Sequence, residues 1–212
     1  MTLHLDSANV EEARRAWNSR LVVGVTTNPA LVAKAGRPAL DIIRDLTRIG
    51  QWPVFHQLTG QTSKALLEEA KRATVIDPGK VVLKIMMSLP NLELVANSSD
   101  DFMWAVTGIA SAAQGLLAME AGADFVIPYV DRITRSGGDG IRTVAELAGL
   151  KDAVEDSGSI LAASLKSPQQ VVDVMLAGAD FVTIPWELIE EMARHPVTDA
   201  ADEDFRKAMG LG

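Results

Sequence analysis

One lysine stands in a run that is otherwise apolar, Val81-Val82-Leu83-Lys84-Ile85-Met86-Met87-Ser88. Residues 81–85 read as a strand buried on both faces, as in a parallel sheet, where a charge has no ordinary place. Two readings compete. In one, the stem of Lys84 lies along apolar surface while its ammonium reaches water. In the other, desolvation lowers the amine's pKa until part of it is unprotonated at neutral pH and can attack a carbonyl to form a Schiff base. Moving the pKa from about 10.4 to about 7.5 takes roughly 4 kcal/mol of discrimination against the charged form, which burial can supply.

The last residues of the other predicted strands are also polar: Asp6; Thr26, Thr27 and Asn28; Gln57; Thr107; Tyr129 and Arg132; Ser164 and Lys166. Singly, each has a plain explanation. Asp6 and Asn28 suit helix caps, Thr26 and Thr107 are β-branched strand formers, and Gln57 suits an exposed loop end. Gathered around Lys84, they supply what Schiff-base chemistry needs. An apolar-walled amine must be joined by an acid/base group that moves protons through a water, and by hydroxyls and amides that orient a sugar.

The elements that must position these groups recur along the chain. Strands are predicted over 3–6, 21–26, 54–58, 80–86, 102–106, 125–129, 160–163 and 181–184. A helical pattern follows each of the eight, the first capped by Asp6 or Ser7 and the one after the sixth strand running from Ile141 to about Glu155. A weak repeat, Ala121-Gly122-Ala123-Asp124-Phe125-Val126-Ile127-Pro128 and Ala177-Gly178-Ala179-Asp180-Phe181-Val182-Thr183-Ile184-Pro185, ends a helix at glycine and starts a buried strand each time. Eight such units close naturally into one (β/α)8 barrel over 1–212, with 199–212 as a helical tail; an open doubly wound sheet is the alternative.

Composition narrows the classes. A net charge of −8 and few aromatics leave no basic stripe for nucleic acid. Cysteine is absent, which removes disulfides, thiolate metal sites and cysteine nucleophiles, and suits a reducing cytoplasm. The first residues do not read as a signal peptide, and the apolar region 108–130 is interrupted by Gln114, Glu120 and Asp124, so no membrane span is expected. His4, His56 and His195 lack metal-ligand spacing, so no metal site is expected, and His56 is read as a packing histidine facing the helices. Gly137-Gly138-Asp139-Gly140 has neither dinucleotide nor phosphate-loop spacing and reads as a mobile loop.

Leu5-Asp6, Gly24-Val25-Thr26-Thr27-Asn28-Pro29, Val82-Leu83-Lys84-Ile85, Ala112-Ala113-Gln114-Gly115-Leu116-Leu117, Pro128-Tyr129-Val130-Asp131-Arg132-Ile133 and Ala162-Ala163-Ser164-Leu165-Lys166 resemble, in order and spacing, the small transaldolases and fructose-6-phosphate aldolases. The resemblance covers nearly the whole chain. It implies a barrel with no metal or organic cofactor, in which Lys84 forms an imine with a ketose donor. It further implies that Asp6 and Asn28 hold donor hydroxyls, with Asp6 assisting proton transfer. Thr26 joins the substrate-binding set, and Thr107 positions the catalytic water. Arg132, Ser164 and Lys166 match the family's site for a terminal phosphate, and their chemistry suits a sulfonate equally. Gln57 and Tyr129 beside that water favour an aldolase, which releases free ketone, over a transaldolase, which transfers it. A sugar-phosphate-binding barrel without catalysis is the rival from another class.

Two departures from the family pattern matter. Met86, Met87 and Ser88 replace the proline and threonine usual after the lysine, and Ile127 stands where a small residue is common. By strand alternation Ile127 faces the same interior as Tyr129. Crowding there predicts a donor smaller or less hydroxylated than dihydroxyacetone, such as hydroxyacetone. The tail beginning His195-Pro196-Val197 also looks like the family's, where such a tail packs on a neighbour in a ring-shaped pentamer or decamer; a solvated terminal helix is the alternative.

Overall fold

Eight short apolar segments pair in sequence order and close on themselves. The computed structural model describes residues 2–151, 153–154 and 157–210. The strands are β1 (Leu3–Asp6), β2 (Gly24–Thr26), β3 (Val54–Gln57), β4 (Val81–Met86), β5 (Trp104–Ile109), β6 (Phe125–Pro128), β7 (Ser159–Ala162) and β8 (Phe181–Ile184). All pair in parallel, and β8 returns to β1. The helices are α1 (Val10–Ser19), α2 (Pro29–Ala35), α3 (Ala39–Thr47), α4 (Ser63–Thr74), α5 (Leu89–Ala96), α6 (Ala112–Glu120), α7 (Val130–Arg135), α8 (Gly140–Lys151), α9 (Pro168–Leu176), α10 (Trp186–Met192) and α11 (Pro196–Ala208). The fold is the (β/α)8 barrel, and the open sheet is excluded.

Side chains just past the strand ends start many of the helices. Asn9, Asn28, Thr62, Ser88, Ser111 and Ser167 each accept a hydrogen bond from a backbone N–H in the first turn. Such a cap contributes about 1 kcal/mol. The cap of α1 is Asn9, not Asp6 or Ser7: the Ser7 hydroxyl instead accepts the N–H of Asn9 at 3.0 Å. Asp6 is therefore free of capping.

Other boundaries also move. The second strand is only Gly24–Thr26, and β5 starts at Trp104 and runs beyond Thr107 to Ile109. Between the sixth strand and the helix expected from Ile141 lies α7, and the glycine stretch read as a mobile loop is a tight turn, with Gly138 N–H donating to Ile133 O at 3.0 Å and Gly140 N–H to Thr134 Oγ1 at 3.3 Å. The next helix ends at Lys151, and the predicted end near Glu155 lies outside the described residues. Helix α10 supplies the helical pattern expected after β8, and the tail helix starts at Pro196 rather than 199.

Two apolar layers hold the barrel. The larger lies between strands and helices, and the smaller fills the interior with Phe55, Val82, Ala105, Ile127, Leu161 and Ala163. The interior floor is a set of rings meeting mainly edge to face: His4–Phe181 at 5.1 Å, His4–Phe55 at 5.6 Å and Phe55–Phe125 at 4.9 Å between centroids. Side chains two apart on a strand face the same way. Above His4, Phe55 and Phe181 therefore stand Asp6, Gln57 and Thr183, and above Val82 and Ala105 stand Lys84 and Thr107.

The repeat has a structural meaning. Gly122 (φ 80°) and Gly178 (φ 100°) take left-handed conformations that close α6 and α9, with Ala123 N–H donating to Ala118 O and Ala179 N–H to Val174 O. The aspartate that follows then accepts an N–H of the preceding strand, Asp124 from Trp104 and Asp180 from Ile160, each at 2.7 Å. Each copy stitches one strand start to its neighbour and delivers a phenylalanine to the interior.

Candidate active site

Lys84 sits in the middle of β4, between Gln57 of β3 and Ala105 of β5. Only 5% of it is exposed. Burial pulls its pKa down from 10.5 to about 8, opposed by the charge of Asp6. At pH 7 about one amine in ten is then neutral, against about one in three thousand for an unperturbed lysine. The stem does not carry the ammonium out to water, so the snorkelling alternative fails.

Asp6 ends β1. Burial pushes its carboxyl above the usual range, against the pull of Lys84, a hydrogen bond from Thr26, the charge of Lys166 and a hydrogen bond from Asn28. Thr26 Oγ1 donates to Asp6 Oδ1 at 2.9 Å and lies 2.6 Å from Thr183 Oγ1. A hydroxyl has one proton, and that of Thr26 goes to Asp6, so Thr183 is the donor in the second contact. Asn28 Oδ1 is committed to the N–H groups of Ala30 and Leu31 at the start of α2, which leaves its NH2 end to face Asp6. Capping and site are thus served by opposite ends of one amide.

Across the barrel, Thr107 Oγ1 donates to the Tyr129 hydroxyl at 3.0 Å, so the phenolic proton is left to donate elsewhere. A bulge sets this pair. The register between β5 and β6 shifts between Thr107 and Ile109 at Gly108 (φ 79°), so Thr107 faces inward while Ile109 packs toward the helices. A Cβ on Gly108 would lie 2.6 Å from Met86 Cε, so the glycine also makes room for Met86 at the mouth.

The cationic side of the mouth comes from α7 and the end of β7. The Arg132 guanidinium lies over the Tyr129 ring, 4.9 Å from its centroid, while its neighbour Asp131 takes Arg135 at 2.8 Å. Asp131 N–H donates to Ser164 O at 3.0 Å, tying the Ser164 turn to the helix that carries Arg132. Ser164 is held at φ 61°, a left-handed conformation that costs a residue with a Cβ about 1–2 kcal/mol. Lys166 is exposed, with its backbone N–H on Gln170.

The structure thus brings Asp6, Thr26, Asn28, Gln57, Lys84, Thr107 and Tyr129 to one end of the barrel, with Arg132, Ser164 and Lys166 at its rim. Ile127 faces inward as expected, but it is 2% exposed and packs within the interior cluster rather than on the rim. Thr27, another strand-end residue, faces away and donates to Phe55 O at 2.8 Å. Sequence reasoning missed Thr183 and the position of Met86, which is 43% exposed at the mouth against Gly108. Thr183 was visible through the repeat, in which it occupies the place of Ile127. Among the described residues no group of three or more His, Asp or Glu is arranged to hold a metal, and no helix is long and apolar enough to cross a membrane.

Comparison with known proteins gives the family. The family profile described as Transaldolase/Fructose-6-phosphate aldolase matches residues 3–211. A protein of Agathobacter rectalis named "Probable transaldolase" is 36% identical over 209 residues, covering 97% of this chain and 96% of its own. Proteins of the same name from Clostridium acetobutylicum and Caldicellulosiruptor saccharolyticus are 36% and 35% identical, each covering 98% of this chain and 96% of their own. The chain belongs to the transaldolase/fructose-6-phosphate aldolase family.

Proposed function

We propose that the protein is a class I aldolase that cleaves or forms a ketose, or its phosphate, through an imine on Lys84, with no metal or organic cofactor. What carries this reading is a buried amine with a pKa of about 8 at the centre of the polar end of the barrel. The neutral amine adds to the ketone carbonyl, and the carbinolamine loses water to give an iminium. Asp6 takes the hydroxyl proton as the C–C bond breaks, the aldehyde leaves, and the electron pair is held as an enamine. Protonation of carbon and addition of water then return the ketone and the amine. Gln57, Thr107 and Tyr129 hold that water, with the free phenolic proton as donor. Asn28 and Thr26 flank the donor hydroxyls, and Arg132, Ser164 and Lys166 take an anionic group on the acceptor.

Borohydride reduction with hydroxyacetone or dihydroxyacetone, followed by peptide mapping, tests this. A stable adduct on Lys84 is expected, forming faster with hydroxyacetone because Ile127 narrows the donor end. Absence of any adduct would leave a sugar-phosphate-binding barrel, and preference for dihydroxyacetone would refute the donor assignment. The second reading, transfer of a dihydroxyacetone unit between sugar phosphates, is favoured by the names of the relatives. Free ketone released without an acceptor aldehyde separates the two.

A second copy of the chain is the proposed partner of α11. No residue of this helix is buried, and Val197, Phe205 and Met209 are 70%, 68% and 64% exposed. With Ala201 they fall at helical spacing on one face. Sedimentation of the whole chain, against one ending at Arg194, is expected to show an oligomer that the shorter chain does not form.

A further inference from the structure

The residue before Gln57 and the residues after it are held by one carboxylate on the outside of the barrel. His56 faces the helices, 2% exposed, and its Nε2–H donates to Glu69 Oε1 of α4 at 3.2 Å. The other oxygen of Glu69 accepts the N–H groups of Thr59 at 2.9 Å and Gly60 at 3.0 Å. Leu58 N–H donates to Lys84 O at 2.9 Å, which ties the same segment to the lysine strand. The loop also lies close on α4, because a Cβ at Gly60 would come within 2.7 Å of Leu66 N.

This loop is a wall between two hollows. On one side a groove of about 460 Å³ is lined by Gln57, Met86 and Asn91, and on the other a hollow of about 430 Å³ is lined by His56, Glu69 and Arg72. A segment with space on both sides keeps its place through its hydrogen bonds. Those bonds converge on Glu69.

We propose that Glu69 is a positioning residue for Gln57, clamping the strand before it and the loop after it so that its amide stays fixed beside Lys84. Burial alone would disfavour the charged carboxylate, but the bonds from His56, Thr59 and Gly60 outweigh it and hold the pKa of Glu69 below the usual range. The clamp is therefore ionised at working pH. The inference rests on the assignment of Gln57 to the catalytic water and extends it to a group that touches no substrate.

Glu69→Ala, Glu69→Gln, Gln57→Ala and the double variant test it, with kcat, KM and the yield of borohydride adduct on Lys84 measured for each. Rates are expressed per adduct-competent site, so loss of folded protein does not count. Glu69→Ala is expected to lower kcat about tenfold with KM changed less than about threefold. Glu69→Gln, whose amide oxygen still accepts the loop N–H groups, is expected to recover most of that. In the Gln57→Ala background the Glu69→Ala change should add less than about twofold. Independent, multiplying effects would overturn the proposal, as would an unchanged kcat in Glu69→Ala. If Glu69→Ala does not fold, Glu69→Met, which keeps the side chain's length but has no oxygen to accept the loop N–H groups, supplies the same cycle alone and over Gln57→Ala. No adduct on Lys84 in the unchanged protein would refute the catalytic reading instead, which keeps the two failures distinct.

Discussion

The two ends of the barrel interior are one residue layer apart and are built on the same strands. At the floor, His4, Phe55, Phe125 and Phe181 close the barrel with rings. At the mouth, two residues further along β1, β3 and β8, stand Asp6, Gln57 and Thr183. Both ends hold a desolvated base. Burial lowers His4 to about 4, weakly opposed by the Thr2 backbone, and lowers Lys84 to about 8, opposed by Asp6. The same physics has different results. A histidine at 4 is neutral at all ordinary pH and serves as one more ring, whereas a lysine at 8 is poised between charged and nucleophilic forms. What separates floor from mouth is the charge and hydrogen bonding placed around the buried base.

The largest effect should come from Lys84→Met. Loss of the amine is expected to lower turnover by more than about a thousandfold. Stability should move the other way. Between the folded pKa of about 8 and the unfolded value of 10.5, the unfolded chain holds a proton that the fold has shed, so stability rises with pH across that window. Below it the fold bears a cost of about 3 kcal/mol for the buried ammonium. Lys84→Met removes that cost but also takes from Asp6 its opposing charge, so a net gain of about 1–2 kcal/mol at pH 7 is expected, fading toward pH 10.5. Urea unfolding at pH 7 and pH 10 measures this. A variant less stable than the parent at pH 7 would mean that the lysine is packed as a structural element, like the floor.

His4→Phe applies the same test to the other end. The folded histidine is at about 4 against 6.5 when unfolded, so the unfolded chain gains a proton first as pH falls. Stability from this group is present above pH 6.5 and is lost between pH 6.5 and 4, by about 3 kcal/mol. In His4→Phe that acid loss should disappear, while kcat at pH 7.5 stays within about twofold. Acid sensitivity that persisted would place it in other groups, and a tenfold fall in kcat would show that floor and mouth are mechanically joined.

How much of this could be read from the chain varies by element. Lys84 was conspicuous because a charge in a buried strand breaks the apolar pattern. The barrel was legible from eight strand signals and a repeat whose glycines and aspartates do the same local work in both copies. Asp6 was misread in one respect: next to a helix start, a carboxylate looks like a cap. Only the backbone path shows that Asn9 takes that role and that Asp6 turns inward. The bulge at Gly108 was illegible, since one inserted residue leaves the composition of a strand unchanged while reversing which side chains face in. Glu69 was hidden for another reason. Its partners are backbone N–H groups, which have no sequence signature, and its distance from Gln57 along the chain carries no periodic signal.

Thr183 makes the smallest and most discriminating test, because it sits where the repeat puts apolar Ile127 in the other copy. Its hydroxyl donates to Thr26, whose own proton goes to Asp6. Thr183→Val preserves shape and removes only the outer donor. The Thr26 oxygen is then buried with a lone pair unmet, which costs about 1–2 kcal/mol of stability. A hydroxyl that no longer accepts a hydrogen bond is also a slightly poorer donor, so the carboxylate form of Asp6 loses part of its support. The Asp6 pKa should rise further, and the acid limb of the rate profile should shift upward by a few tenths of a pH unit, with kcat at pH 8 falling less than about threefold. Thr26→Val, which deletes the direct donor, should shift the limb further in the same direction. A limb that moves with Thr26→Val but not with Thr183→Val would end the relay at Thr26 and make Thr183 a packing residue. Movement in both, in that order of size, would mean that the mouth is tuned through a chain of hydroxyls, where the floor has only rings.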